Sequence, residues 1–392
     1  MPKKAPKVSV VLPFYNASKT LSAALQSISD QDYTDFECLM VDNNSSDGSR
    51  GIAAEWEGLD SRFSLLSEQM QGVMFASNRA CKAARGAYIA RMDADDVAHS
   101  NRIRLQCEFL DKHADYGAVA GLVKHVGDPE TSGGFKRFVE WSNSLVSYEE
   151  IYNRRFIEAP VVNPTAMWRR ETMEKHGLYL SGDFPEDYEM WLRWLDQGVR
   201  MAKVPEVVLD WHDSEGRLTR TDPIYSDRAF YEIKSRYLAR YLAAYNPFHP
   251  HVAIWGASRI SRRRAKILEQ HGICIDTYID TKRSRQLDRK LIYYEDLPES
   301  GSMFILTYIR QMDNRERIQD FLESLHDGFK KGKITLRSGT DKIVLEPKDL
   351  LSFKLRAKKK QSSSKLQIKI SWKEGMIETT KEKLRIGSSG DD

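Results

Sequence analysis

Three aspartates, Asp93, Asp95 and Asp96, fall within the segment Arg91–Val97 (RMDADDV), directly after the apolar run Ala87–Ala90. Carboxylates packed this closely repel one another unless a cation sits between them. Mg²⁺ or Mn²⁺ is the natural partner, because these ions prefer one or two carboxylates plus phosphate oxygens and so arrive with a diphosphate. A solvated acidic turn capping a helix that begins near Ser100 is the duller alternative, and for an isolated D-x-D it is the better one. A second carboxylate centre, Glu186-Asp187, lies in Phe184–Trp194 (FPEDYEMWLRW). Pro185 suits the first helical position, and Tyr188, Trp191, Leu192 and Leu195 mark a buried face. Taken alone, Glu186-Asp187 reads as an acidic first turn favoured by the helix dipole, and an aspartate held there is expected to stay ionised at neutral pH.

Two further stretches decide how the first cluster is positioned: Val8–Asn16 (VSVVLPFYN) and Val41–Ser49 (VDNNSSDGS). Val8–Leu12 is the near-continuous apolar run of a central strand covered on both faces. Ser18 is placed to cap a helix carrying Leu21, Leu25 and Ile28 at helical spacing. Phe36–Val41 reads as a second strand ending in the polar turn Asp42–Ser49. A helix through Phe75–Ala84 stops at Arg85-Gly86, and the strand Ala87–Met92 delivers the aspartates. Alternation of short strands and helices predicts a parallel α/β sheet. In such sheets ligands sit beyond the carboxyl ends of the strands, so all three stretches meet on one rim.

This ordered set, with Gly72–Gly86 (GVMFASNRACKAARG) and the FPEDYEMWLRW segment, resembles the family 2 glycosyltransferases of GT-A fold over roughly the first 220 residues. The resemblance implies transfer of a sugar from a nucleotide-diphosphate donor to a hydroxyl, with inversion at the anomeric carbon. It implies that Pro13, Tyr15 and Asp42 border the nucleoside and that Asn78 and Arg79 lie near the base or diphosphate. Asp93 would face the ribose, Asp95 would bind Mg²⁺ or Mn²⁺, and Asp187 would be the catalytic base. His212, Arg217 and Arg220 would close over the diphosphate, His212 as a further metal ligand, with Thr219 where many relatives carry Ser. Each has a plainer alternative: an Asx turn for Asp42, a surface helix charge for Arg79, a loop histidine for His212. The rival function is a non-catalytic nucleotide-sugar sensor or scaffold, which would need no base.

The remaining chain divides in two. After the aromatic helix around Ser226–Tyr245, the pattern Val252–Trp255, Gly256-Ala257-Ser258-Arg259 and Ile260–His271 reads as strand, turn and helix, followed by the strands Ile273–Ile279 and Met303–Tyr308. This resembles the Rossmann-like domain behind some bacterial family 2 transferases. Only the first fingerprint glycine is present, and Ser258 and Ser261 take the places of the others, which argues against NAD even with Asp280 at the ribose-binding distance. The last part alternates apolar and polar residues over four short strands and resembles the small amphi-Trp domain. Gly328–Lys373 carries 14 Lys/Arg against 3 Asp/Glu, although the whole chain is only +4. Its basic face reads first as an aggregation-resistant sheet surface; contact with anionic lipid headgroups is the alternative, and nucleic acid is disfavoured. The expected domains are 1–245 (GT-A), 246–329 (degenerate Rossmann-like) and 330–392 (small antiparallel β, with a disordered end). No apolar run reaches the length of a membrane helix, the N-terminal apolar run is too short for a signal peptide, and Cys38, Cys81, Cys107 and Cys274 are spaced as free thiols. These features point to a cytoplasmic enzyme, with contact at the inner membrane face as the open alternative, acting on a saccharide or lipid-linked acceptor.

Overall fold

The structure is a computed structural model. It describes residues 5–127, 133–213, 219, 222–280, 291–293, 297, 303–308, 334–338, 341–345, 351–360 and 363–372. Two compact units divide the chain, Met1–Met312 and Asp313–Asp392.

The first unit holds an eight-stranded sheet built from β1 (Val8–Phe14), β2 (Phe36–Asp42), β3 (Phe63–Ser67), β4 (Tyr88–Arg91), β5 (Val97–Ala98), β6 (Tyr116–Val126), β7 (Met167–Arg169) and β8 (Arg200–His212). The strand order is β3-β2-β1-β4-β7-β6-β8-β5. The four strands β3, β2, β1 and β4 are mutually parallel. β7 runs antiparallel to both β4 and β6. The chain winds from β1 outward to β3 and then crosses back to lay β4 on the other side of β1. That reversal opens a crevice beyond the carboxyl ends of β1 and β4, where open α/β sheets take their ligands.

The helices are α1 (Leu21–Ser29), α2 (Ser49–Leu59), α3 (Val73–Ala83), α4 (Arg102–Lys112), α5 (Gly133–Asn143), α6 (Tyr148–Arg154), α7 (Arg170–His176), α8 (Glu186–Asp196), α9 (Asp227–Tyr245) and α10 (Arg259–Glu269). Every residue of β1 is buried. Val8, Val10, Leu12 and Phe14 pack on one face with Leu21, Leu25 and Ile28 of α1, while Val11 packs on the other with Ala76 and Ala80 of α3. A strand covered on both faces needs apolar residues throughout, hence its unbroken run. Ser18 does not cap α1: its N–H donates to Asp47 Oδ2 at 3.0 Å, and Thr20 occupies the N-cap without a side-chain cap bond. The loop after β1 is tied to the loop after β2 instead, and that tie takes the expected cap away.

Gly86 is where α3 turns into β4. A Cβ there would lie 2.5 Å from Ser9 N and 2.6 Å from Val8 C, both backbone atoms. The stop read at Arg85-Gly86 is therefore a close backbone approach that only glycine permits.

A four-stranded sheet follows in the same unit, ordered β11-β10-β9-β12, from β9 (His251–Trp255), β10 (Cys274–Asp280), β11 (Leu291–Tyr293) and β12 (Ile305–Thr307). All its pairings are parallel. Asp280 Oδ2 accepts the N–H of Ala257 at 2.9 Å, so this carboxylate is spent on the turn after β9. Ser258 caps α10 by accepting from Ser261 N–H at 3.1 Å.

In the second unit β13 (Ile334–Ser338) pairs antiparallel with β14 (Asp341–Leu345), and β15 (Leu351–Lys360) with β16 (Ser363–Trp372). The register sets Phe353 opposite Ile370 and Leu355 opposite Ile368. Among the described residues these strands form two separate two-stranded ladders. Ile318, Phe321, Leu322, Leu325 and Phe329 are spaced as one face of a helix, and that segment lies outside the described residues. Cys38, Cys81 and Cys107 are buried free thiols, and Cys274 is an exposed one. No described helix is long and apolar enough to cross a membrane.

Candidate active site

β4 pairs with β1 up to Arg91 opposite Val11, and Met92 N–H donates to Val11 O at 3.0 Å. Beyond that bond the chain leaves the sheet and presents the three aspartates at the crevice. Asp93, Asp95 and Asp96 bring carboxylate oxygens within 4.8 Å of one another. An ion with oxygen bonds of about 2.1 Å fits such a spread after small side-chain rotations. Asp93 and Asp95 are half-buried and Asp96 is buried. Asp96 Oδ1 accepts the backbone N–H of His212 at 2.8 Å, which ties the end of β8 to the cluster. His212 thus reaches the aspartates through its main chain; the group of potential ligand atoms comprises the three carboxylates.

Two guanidinium groups lie beneath them, both 1% exposed: Arg91 and Arg102. Arg91 Nη2 pairs with Asp93 Oδ1 at 2.6 Å. Arg102 Nη2 donates to the carbonyl of Arg91 at 2.5 Å; burial pushes its guanidinium down to about 10, while the charge of Asp96 opposes that fall. Sequence reading passed over both. For Arg91 the available signal was a charged residue closing a strand whose other positions are apolar, since such a buried charge requires a partner.

The loops after β1 and β2 form the neighbouring wall. Phe14 and Asp42 are opposite one another at the strand ends. Pro13 is buried, and Tyr15 stands 52% exposed beside it. Asp42 is buried; it accepts Ser45 N–H at 3.0 Å and pairs with Arg50 at 3.2 Å. The Asx-type role is therefore present in the structure, beside whatever the carboxylate does toward a ligand. Asn16 Oδ1 accepts Ser46 N–H at 2.8 Å and Ala17 N–H donates to Ser49 Oγ at 2.7 Å, lacing the loops together. Asn78 on α3 donates to Tyr179 O at 2.9 Å, while its Oδ1 is buried without a hydrogen-bond partner among the described residues. Arg79 is exposed. Arg217 and Arg220 lie outside the described residues.

α8 carries the second carboxylate centre. Trp168 of β7 meets Trp191 and Trp194 edge-to-face at 6.3 and 5.8 Å, and those two meet at 5.6 Å. Such contacts add to the burial of large rings. Tyr188 and Leu192 turn the other way, onto Ile233 and Tyr237 of α9. The helix is therefore sandwiched and buried on two faces, where the sequence marked a single one. This seats its first turn near β4. Tyr225 O–H donates to Glu186 Oε2 at 2.7 Å.

The expectation that Asp187 stays ionised at neutral pH is overturned. Burial first, and then the charge of Glu186, push its carboxyl up to about 8; Asp93 adds to the rise and Arg91 opposes it. The residue keeps some exposure, but the protein crowds its carboxyl. Glu186 is raised as well, chiefly by burial. The helix dipole loses to desolvation and like charge. What results is a triad competent to hold a metal, a carboxyl of raised proton affinity on which Asp93 acts, and a buried cation that pairs with Asp93 and acts on Asp187.

A parallel 3-2-1-4 half sheet, an acidic cluster at the end of its fourth strand and a carboxylate-bearing helix across the crevice define the GT-A class of α/β fold. Residues 9–177 match the model of the glycosyl transferase family 2, and residues 305–387 match that of the Amphi-Trp domain. The chain is thus similar to family 2 glycosyltransferases over its first part and to the Amphi-Trp domain over its last. An uncharacterized glycosyltransferase of Haemophilus influenzae is 26% identical over 53% of this chain and 66% of its own length. The putative glycosyltransferase EpsE of Bacillus subtilis is 28% identical over 56% of this chain and 78% of its own. WfgD of Escherichia coli, a UDP-Glc:alpha-D-GlcNAc-diphosphoundecaprenol beta-1,3-glucosyltransferase, is 38% identical over 27% of this chain and 42% of its own length.

Proposed function

We propose that this chain is an inverting, divalent-metal-dependent glycosyltransferase that moves a sugar from a nucleotide-diphosphate donor to a hydroxyl of a saccharide or lipid-linked acceptor. One observation carries the reading. The charge of Asp93, at the end of β4, raises the proton affinity of Asp187, at the start of α8, which supports a site in which the acidic cluster and the second carboxylate centre work on one ligand pair.

In this scheme Asp95, with Asp93 and Asp96 beside it, would hold the ion, and the His212 ring would have to turn in from the strand end to add a further ligand. A divalent ion bound there supplies charge neutralisation to the departing diphosphate. Pro13, Tyr15, Asp42, Asn78 and Arg79 would border the nucleotide, and Arg217 and Arg220 would close over it. Asp187 accepts the proton of the acceptor hydroxyl as its oxygen bonds the anomeric carbon on the face opposite the diphosphate, whose bond to that carbon breaks. Its raised proton affinity makes its ionised form a stronger base than an ordinary carboxylate. The domain division 1–245, 246–329 and 330–392 and a cytoplasmic location belong to the same proposal.

The test is direct. Purified protein is incubated with Mn²⁺, UDP-, GDP- and dTDP-sugars and a set of alkyl glycoside acceptors, and free nucleotide diphosphate is measured. Acceptor-dependent release from one donor class, lost with EDTA, is expected. A site that binds the donors but releases nothing with any acceptor would count for the sensor reading instead.

A further inference from the structure

We infer that Arg91 is a positioning residue whose buried charge tunes the rim to take a divalent ion together with its diphosphate in preference to the bare ion. This rests on the metal–donor site proposed above. Arg91 closes β4 at 1% exposure, and a guanidinium in such a place is retained only with partners. One partner is Asp93, at 2.6 Å, itself a member of the acidic triad. Another is the carbonyl of Met92, one residue on. Its Nε finds no hydrogen-bond partner among the described residues, so hydrogen bonding alone does not account for the side chain. The charge also acts on Glu186 and Asp187 across the crevice. Arg102 grips the Arg91 carbonyl from α4 and holds the strand end in place.

These contacts give Arg91 a sign as well as a position. A bare divalent ion at the triad is repelled by a cation already paired with one of its carboxylates. A divalent ion carrying a nucleoside diphosphate is a net anion, and the same cation attracts it. Removing the charge should therefore shift the two affinities in opposite directions. A residue that merely packs the strand end would, when replaced, weaken both.

The full chain is titrated with Mn²⁺ alone, followed by electron paramagnetic resonance, and with UDP and GDP at saturating Mn²⁺ by calorimetry. In Arg91→Met, bare Mn²⁺ should bind about tenfold tighter and the Mn²⁺–nucleotide about tenfold weaker, the scale of one charge at intermediate dielectric. Arg91→Gln, neutral but still able to donate to Asp93, should show the same opposed shifts and serves if the Met variant does not fold. Arg91→Lys, which keeps the charge, should restore bare-ion affinity to within about twofold of wild type. Parallel loss of both affinities in the neutral variants, or a Lys variant that behaves like them, overturns the role of Arg91. Wild-type protein that binds no Mn²⁺ fails earlier and takes the metal-site reading down with it.

Discussion

Asp187 is placed so that function and stability pull on it in opposite directions. Its carboxyl is held at about 8 in the folded chain, against 3.8 for an unperturbed aspartate. The folded state therefore binds this proton more tightly than the unfolded one. The stabilisation is complete below pH 4 and is lost as pH climbs through 8. Asp187→Asn keeps the shape without the charge, so it should melt above wild type at pH 9, by about 2 °C or more, and match it at pH 4. The same variant should lose about two orders of magnitude or more in turnover, because it cannot take the acceptor proton, while donor affinity stays near wild type. In the wild-type enzyme kcat/KM should rise with pH from 6 toward 8; a flat profile over that range would refute Asp187 as the base. Asp95→Ala addresses the other half of the rim. Nucleotide diphosphate should bind wild type more tightly with Mn²⁺ than with EDTA, and calorimetry on the variant should find that difference gone. The aspartates themselves were legible in the sequence as a cluster. The direction of the Asp187 shift was not, because beside its neighbour Glu186 it comes first from burial and also from Asp93, which only the folded chain brings to it.

At the scale of elements, legibility followed the range of the contacts. β1, β2 and α3 were readable because their patterns answer to neighbours packed on both faces of a parallel sheet. The mixed half was not read, since β6, β7 and β8 are joined by antiparallel and parallel pairings between distant segments, such as Val119 with Met167 and with Ala202. α8 was read as a helix, but its second buried face depends on α9, more than thirty residues on. Gly86 shows how a legible stop can conceal its cause. The residues around it form a knot at the start of the sheet: Gly86 N–H donates to Ser9 Oγ at 2.8 Å, Ser9 Oγ to Glu37 at 2.7 Å, and Arg85 pairs with Glu37 at 2.5 Å. A methyl at Gly86 meets backbone, which cannot rotate aside. Gly86→Ala should cost about 1–3 kcal/mol, seen as a drop in melting temperature of several degrees. An unchanged melt would show that the approach of β4 to β1 has slack.

For the whole molecule the question is what the basic second unit adds to the first. All side chains assigned to chemistry lie before position 221, whereas Gly328–Lys373 supplies 14 basic residues against 3 acidic ones and no cluster of catalytic type. The Amphi-Trp match begins at residue 305, yet Ile305–Thr307 pairs with β9 as the edge of the four-stranded sheet. A truncation must therefore spare β12, and the unit boundary at Met312 does so. A chain ending at Met312 should remain folded and keep full transfer to a small soluble acceptor, if the second unit is an appendage. If that unit instead brings the enzyme to anionic lipid, the full chain should pellet with acidic liposomes and the truncated one should not. The difference should be largest at low salt, since charges are screened within about 10 Å at 0.1 M. Neutral liposomes supply the control for binding without charge. Equal, negligible pelleting of both chains with acidic liposomes would end the membrane idea. Loss of transfer to the soluble acceptor by a well-folded truncated chain would show that the second unit takes part in the reaction itself.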